Sequence, residues 1–309
     1  MRLKDATKVL PTSTVLVESG APKTKALQEP STAPQGTAWH VLKSTPPPAG
    51  SSNVIGLMAA NNVQAVSLEP VDGVAYVNAT LDEMRRLKRD EPNTRCVVVF
   101  DLDNTIFETR ARTLEAMKAF DSAHGTSHFA GLALEDMGKN GKHTAELQGL
   151  DPATAQKVHD FWTEWFWKGP NFLCDHLMTK MAQLAHDAHE AGAEVVYLTG
   201  RVDHASTLAQ LKAAKLPDAD GEHLVTKPAV GANTGKFKGV WLANLLDSKD
   251  TFLGWFLTEG RRDIATVQEH DPRIPCVRLG YVHEREGKEN LPHTPVLPES
   301  WSEERRPIV

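Results

Sequence analysis

The sequence has few cysteines, no long apolar run and no excess of basic residues. Its three cysteines, Cys96, Cys174 and Cys276, are odd in number and widely spaced, which argues against a disulfide framework. No run approaches the roughly 18 apolar residues of a membrane span, and residues 1–20 lack the apolar stretch of a signal peptide. With a formal net charge of −6 and no basic stripe interleaved with aromatic residues, neither nucleic-acid nor membrane binding is expected. We therefore expect a soluble, cytoplasmic protein.

The two ends of the chain differ in composition from its middle. Residues 1–52 are rich in Pro, Thr, Ser, Ala and Gly, and too poor in large apolar side chains to offset the entropy of ordering, which predicts a flexible tail. Residues 53–92 contain short apolar clusters and a charged helix over Leu81–Arg89, and are interpreted as an extension packed on the core. Residues 284–309 are charged and proline-rich, which predicts a loosely packed tail.

Strands and helices alternate between these ends, in a region of residues 93–283. Continuous apolar runs, typical of strands buried on both faces of a parallel sheet, occur at Cys96–Phe100, Ala193–Leu198, Phe252–Leu257 and Pro275–Leu279. Helices are predicted at His176–Ala191, closed by Gly192, and at Lys236–Leu246. This alternation predicts an α/β fold of Rossmann-like type, with a doubly wound parallel sheet.

A long insertion follows the first of these strands and is expected to form a small helical cap over about residues 110–175. Asp151 and Pro152 predict an N-cap followed by proline at the first helical position. Beyond them comes an aromatic stripe at helical spacing, consisting of Phe161, Trp162, Trp165 and Phe166. Two interpretations remain open, in which the rings form the core of the cap or wall a substrate pocket.

The motif with the clearest chemistry is Asp101-Leu102-Asp103-Asn104-Thr105, which ends the first buried strand. Ligands of open α/β sheets bind outside the carboxyl ends of the strands, where two nearby carboxylates can face one crevice. Like charges this close are costly unless a cation neutralises them, and oxygen donors of this kind suit Mg²⁺. Asp101 and Asp103 are therefore candidate catalytic and metal-binding residues.

Further polar residues follow the later strands. Thr199 and Gly200, directly after an apolar strand and before Arg201, could bind an anion with their hydroxyl and backbone N–H groups. A bound phosphate also needs a cation to neutralise its charge. Lys238 is the preferred candidate because it precedes Glu259 by 21 residues, about one helix and one turn, and Lys227 is the alternative.

The last motif of the set places two acids four residues apart. Glu259 and Asp263 lie at a strand-to-helix junction, where they could complete a metal site. Alternatively, they could complement the dipole of a helix N-terminus.

In this order the four motifs resemble those of haloacid dehalogenase-like hydrolases, over roughly residues 95–281. The resemblance implies that Asp101 is the nucleophile and Asp103 the general acid/base of a phosphatase. It also implies that Thr199, with Gly200 and Arg201 beside it, and Lys238 bind the phosphoryl group. Mg²⁺ would be held by acids of the first and last motifs, namely Asp101, Asp103, Glu259 and Asp263.

The last motif departs from the family pattern, because Thr258-Glu259 stands where an aspartate pair is usual. The expected function is Mg-dependent hydrolysis of a small phosphate monoester through an aspartyl-phosphate. The alternatives are a catalytically weak or inactive protein that binds phosphorylated ligands, and a phosphomutase. The sequence names neither the substrate nor the oligomeric state.

Overall fold

The computed structural model describes residues 72–138, 140–281 and 293–308. The strands are β1 (Arg95–Phe100), β2 (Phe107–Glu108), β3 (His176–Met178), β4 (Glu194–Thr199), β5 (Leu224–Thr226), β6 (Thr251–Thr258), β7 (Cys276–Leu279), β8 (Val296–Leu297) and β9 (Arg305–Pro307). The α-helices are α1 (Gly73–Asp90), α2 (Arg110–His124), α3 (Gly141–Leu147), α4 (Pro152–Phe166), α5 (Thr179–Glu190), α6 (His204–Ala213), α7 (Thr234–Leu246) and α8 (Arg261–His270). Short 3-10 helices lie at Leu134–Asp136, Gly169–Cys174 and Glu299–Trp301.

Six strands form one parallel sheet in the order β5-β4-β1-β6-β7-β8. Side chains of β1 alternate between two cores, with Val98 and Phe100 in one and Val97 and Val99 in the other. Helices α1, α5 and α6 contribute to the first core, and α7 and α8 to the second. The predicted doubly wound α/β fold is therefore confirmed, and the continuous apolar run of β1 reflects burial on both faces.

The central position of β1 decides where a ligand can bind. From β1 the chain moves to β4 and β5 on one side, and then returns to β6 on the other side. Such a reversal of strand order opens a crevice at the carboxyl ends of the strands. Asp101 immediately follows β1 at that edge.

The helical insertion, residues 110–175, has a separate hydrophobic core. Helices α2, α3 and α4 pack around Met117, Phe120 and Val158. Asp151 caps α4 by accepting hydrogen bonds from the amides of residues 153 and 154, and Pro152 occupies the first turn as predicted. Of the aromatic stripe, three rings pack against this core, which are those of Phe161, Trp162 and Trp165. The stripe is therefore a packing feature.

Two boundaries at the N-terminal side and in the middle of the chain differ from prediction. Helix α1 begins at Gly73, earlier than the predicted Leu81, because Asp72 caps it and Val77 packs in the core. The predicted helix over His176–Ala191 begins three residues later, since its first residues form β3 between β2 and β9. That strand depends on pairing with residues far along the chain. Residues 1–71 lie outside the described part, and with them the predicted tail and residues 53–71 of the predicted extension.

The prediction of a loosely packed C-terminal tail is wrong for residues 293–308. Strand β8 pairs in parallel with β7, and β9 pairs antiparallel with β3. Leu297 is fully buried and Ile308 is nearly so. A Cβ added at Gly73 would lie 2.4 Å from the carbonyl carbon of Val296, so helix α1 and this segment are in close contact. Residues 284–292 lie outside the described part of the chain.

The three cysteines are free, and Cys96 and Cys276 are buried. Within residues 72–138, 140–281 and 293–308, no helix is both long and apolar enough to cross a membrane.

Candidate active site

The loop after β1 turns sharply out of the sheet. The amides of residues 105, 106 and 107 all donate to the Leu102 carbonyl oxygen, at 3.1, 3.0 and 2.9 Å. Asn104 adopts a positive φ of 55°, which asparagine tolerates better than most residues. This turn leaves the side chains of Asp101 and Asp103 in one cavity.

The Asp101 side chain is only 9% exposed, and both oxygens of its carboxylate accept hydrogen bonds. Oδ1 accepts a hydrogen bond from the Leu102 amide at 2.8 Å, and Oδ2 accepts one from the Thr258 hydroxyl at 3.0 Å. The Nζ of Lys238 lies 2.7 Å from Oδ2. Burial raises the pKa of Asp101 above its usual value, although the Lys238 ammonium opposes that rise. The carboxylate is therefore fixed in position beside a single positive charge.

Lys238 lies on α7, with its side chain only 2% exposed. Its Nζ contacts Asp263 Oδ2 at 2.5 Å, so that the ammonium joins two carboxylates. Burial alone would lower its pKa, but Asp101 and Asp263 together raise it. Lys227, the competing candidate, also lines the cavity, and its Nζ lies 3.3 Å from both the Val230 carbonyl and the Thr234 hydroxyl.

Glu259 follows β6 and lies beside the first motif. Thr105 connects the two, because its hydroxyl lies 3.2 Å from Glu259 Oε2 and also 3.2 Å from the Glu259 amide. Burial and the neighbouring Asp101 raise the pKa of Glu259 to about 8. Loss of hydration on burial is the main cause of this shift, and repulsion by Asp101 adds to it.

Asp103 has different partners from Asp101. Its Oδ1 accepts hydrogen bonds from Arg201 Nη2 at 2.6 Å, Arg201 Nε at 3.1 Å and Arg112 Nη2 at 3.1 Å. Burial would raise the pKa of Asp103, but the two guanidinium groups outweigh it and lower the pKa to about 2. The carboxylate is therefore ionised at neutral pH.

Both arginines also form ion pairs with Asp175, at the end of the helical insertion. Arg112 makes a bidentate contact with the Asp175 carboxylate at 2.8 and 2.7 Å, and Arg201 donates to the same carboxylate at 3.1 Å. Gln210 completes the network through Arg201 Nη1 at 2.5 Å and Asp175 Oδ2 at 2.8 Å. Sequence reasoning missed Arg112, Asp175 and Gln210, because residues 63 and 35 positions apart in sequence give no local signal.

Of the residues at the end of β4, Thr199 is buried, whereas Gly200 and Arg201 line the cavity. Thr199 is fully buried, and its hydroxyl accepts a hydrogen bond from the Arg201 amide at 3.3 Å. A Cβ added at Gly200 would lie 2.9 Å from the Thr234 methyl group, so the wall requires a glycine here. Their predicted contact with phosphate stays a prediction, and the Arg201 guanidinium faces protein acceptors.

The cavity has a volume of about 510 Å³. Its acidic side carries Asp101, Asp103, Glu259 and Asp263, and its basic residues are Lys227, Lys238 and Arg201. The apolar part of the lining consists of Trp167, Phe172, Val202 and Val230. This volume is that of a site for a small molecule.

The chemistry of this side fits a divalent cation. Asp101 and Glu259 both lie near the Thr258 hydroxyl, at 3.0 and 3.4 Å, and burial together with the Asp101 charge raises the pKa of Glu259. Among the described residues, no three acidic, histidine or cysteine side chains are arranged as a complete metal shell. Mg²⁺ is usually held by only one or two carboxylates together with substrate phosphate and water, so a pair of acids suffices. Metal binding by Asp103 and Asp263 stays a prediction, because both carboxylates contact cationic side chains.

No protein-family model and no curated protein matches the chain. Solved structures similar to it include haloacid dehalogenase-like hydrolases and phosphatases. A hydrolase of that superfamily from Geobacter sulfurreducens is 13% identical over 66% of this chain and 94% of its own, with a TM-score of 0.41. CbbY from Rhodobacter sphaeroides, solved in complex with phosphate, is 17% identical over 68% of this chain and 96% of its own, with a TM-score of 0.42.

A third similar structure has a different description. Protein Tyrosine Kinase A from Mycobacterium tuberculosis is 14% identical over 67% of this chain and 96% of its own, with a TM-score of 0.44. At these identities and TM-scores, the similarities assign no activity to this chain.

Proposed function

We propose that this protein is a magnesium-dependent phosphatase that hydrolyses a small phosphate monoester through an aspartyl-phosphate on Asp101. The observation that supports it best is the buried Asp101 carboxylate at the end of the central strand, 2.7 Å from the Lys238 ammonium. A carboxylate with one adjacent cation, in a cavity lined by further acids, suits nucleophilic attack on a phosphoryl group.

In the first step, a carboxylate oxygen of Asp101 forms a bond to phosphorus as the bond from phosphorus to the ester oxygen breaks. Lys238 stabilises the charge on the non-bridging oxygens, and the Leu102 amide and the Thr258 hydroxyl fix the direction of attack. In the second step, water attacks the aspartyl-phosphate and releases inorganic phosphate. Asp101 is thereby restored.

Asp103 is the proposed general base of the second step. Its pKa of about 2 keeps it ionised at neutral pH, which is the form that accepts a proton from the attacking water, but also makes it a weak base. To act as the acid of the first step, it must first take up a proton against the field of Arg112 and Arg201. Esters with stable leaving anions are therefore expected to react fastest.

A magnesium ion would be held by Asp101 and Glu259, with Asp263 and Asp103 as further candidates. When bound, it would supply positive charge to the phosphoryl oxygens. The raised pKa of Glu259 is the feature of this chain that supports such binding.

One observation favours a second function, binding of a phosphorylated ligand without turnover. Three donors from two arginines hold a single oxygen of Asp103, so that the proposed acid/base is engaged by protein groups. Calorimetric binding of a phosphate ester without release of its alcohol would support this alternative.

The test is hydrolysis of p-nitrophenyl phosphate with Mg²⁺ and with EDTA. We expect turnover only with the metal, and loss of nearly all turnover in Asp101→Asn with the circular dichroism spectrum retained. The exposed Asp160→Asn is the matched control and should behave as the parent. An Asp101→Asn variant as active as the parent would contradict the proposal.

A further inference from the structure

The mouth of the active-site cavity carries exposed apolar side chains. Among the described residues, the exposed large hydrophobic side chains are those of Leu147, Trp167, Leu173, Val202 and Val230. Three of these five line the active-site cavity, with exposed fractions of 48% for Trp167, 43% for Val202 and 81% for Val230. Exposed apolar side chains that gather at one site mark a binding surface more often than scattered ones do.

These three side chains come from separate parts of the fold. Trp167 follows α4 of the helical insertion, Val202 follows β4, and Val230 lies in the loop between β5 and α7. The Trp167 ring packs edge-on against Phe166, with the ring centres 5.0 Å apart. Phe166 in turn lies 4.1 Å from the Arg112 guanidinium, so that Trp167 is supported by the same network that holds Asp103.

The polar groups at the mouth are already engaged by the protein. Arg201 contacts Asp103 and Asp175, and Asp203 caps α6 through the Ser206 amide at 3.0 Å. A sugar hydroxyl buried here would lose its hydrogen bonds to water, and this lining offers few free partners to replace them.

We infer that the substrate is a phosphate monoester of an apolar, aromatic alcohol, whose ring contacts Trp167, Val202 and Val230 while its phosphate lies at Asp101 and Lys238. This inference rests on the proposed function, whose reacting group it leaves unchanged. Apolar contact fixes the alcohol portion, and the charged end of the cavity fixes the phosphate.

The experiment compares naphthalen-2-ylmethyl phosphate with glucose 6-phosphate in the presence of Mg²⁺. Both release a primary alcohol, so that a difference in kcat/KM reports recognition. We expect a preference of about tenfold or more for the aromatic ester, which is what burial of a ring contributes. The preference should fall in Trp167→Ala and in Val230→Ser. Because Val230 is exposed, its substitution should leave the fold unchanged. Leu147→Ala, equally apolar and outside the cavity, should keep it.

Binding separates this inference from the proposed function. Naphthalen-2-ylmethyl phosphonate, which cannot be hydrolysed, should bind about tenfold or more tightly than methylphosphonate in calorimetry. Aromatic preference in binding without any turnover would uphold the inference and contradict the phosphatase. Turnover with equal or greater kcat/KM for glucose 6-phosphate would overturn the inference and leave the phosphatase standing. Equal binding of the two phosphonates, or no binding of either, would also overturn it.

Discussion

Asp101 and Asp103 are two residues apart in sequence, yet they lie in opposite electrostatic surroundings. Asp101 shares one lysine with Asp263, and burial raises its pKa. Asp103 faces two arginines that lower its pKa to about 2. Pairs of acids whose surroundings separate their pKa values are those that can take different roles in one reaction. Residues from other helices and strands cause this difference in pKa. The spacing of the two aspartates within the motif therefore does not predict it.

The largest expected effect is on turnover, and substitution of each aspartate should block a different step of the proposed reaction. In rapid-mixing measurements with p-nitrophenyl phosphate, Asp101→Asn should release no p-nitrophenol, because no bond to phosphorus can form. Asp103→Asn should release about one equivalent in a burst and then turn over about 100-fold more slowly, since it lacks the base for water. A burst from Asp101→Asn, or parent-like turnover in Asp103→Asn, would refute the division of roles.

The next effect concerns the buried cation on the Asp101 side. Lys238→Met leaves Asp101 and Asp263 without their shared charge, which should lower the free energy of unfolding by about 3–5 kcal/mol at pH 7. Urea unfolding of the metal-free protein measures it. Lys236→Met, exposed on the same helix, is the control and should change little. Equal stability of the two variants would show that the buried pair is not required.

A smaller effect tests the charge imbalance at Glu259 through pH. Its folded pKa of about 8 exceeds the ordinary 4.5, so the folded state binds the proton more tightly than the unfolded state. The stability from this group is fully present below about pH 4.5 and is lost as pH rises toward 8. In EDTA, Glu259→Gln should therefore become more stable relative to the parent between pH 5 and 8.

Magnesium should reverse that trend, because it competes with the proton for Glu259. We expect the increase in melting temperature on adding Mg²⁺ to be larger at pH 8 than at pH 5, and to be reduced in Glu259→Gln. The exposed Glu146→Gln serves as control. A Mg²⁺ effect independent of both pH and Glu259 would place the metal elsewhere.

The smallest effect comes from an ion pair on the surface of the helical insertion. Lys168 Nζ lies 2.8 Å from Glu164 Oε1, with side chains 57% and 77% exposed. Water screens such a pair, so Lys168→Met should leave the free energy of unfolding nearly unchanged. A loss comparable to that of Lys238→Met would mean that burial does not explain the difference between the two lysines.

The prediction from sequence was accurate for elements with a strong local pattern. The apolar run before Asp101 identified β1, and Asp151 with Pro152 identified the start of α4. It was wrong where distant pairing decides the structure, as in β3, whose partners include residues 305–307. The same applies to β8, a two-residue strand that joins the sheet beside β7.

For the candidate site, the sequence predicted the four acids of the first and last motifs and Lys238. The structure places all five around one cavity. The roles assigned to them stay predictions. Arg112, Asp175 and Gln210 had no motif to reveal them, because a buried ion network joins side chains from unrelated positions. Thr105 belongs to the first motif, but its position there does not reveal that its hydroxyl connects the motif to Glu259.

Sequence alone determined four of the six strands of the sheet and the acids at the end of the first of them, because hydrophobic period and turn residues act locally. Tertiary structure decided which partners those acids meet, lysine for Asp101 and arginines for Asp103. It also brought three exposed apolar side chains together at the mouth of the cavity. Electrostatic and packing energies depend on distance in space, and the order of residues along the chain does not record it.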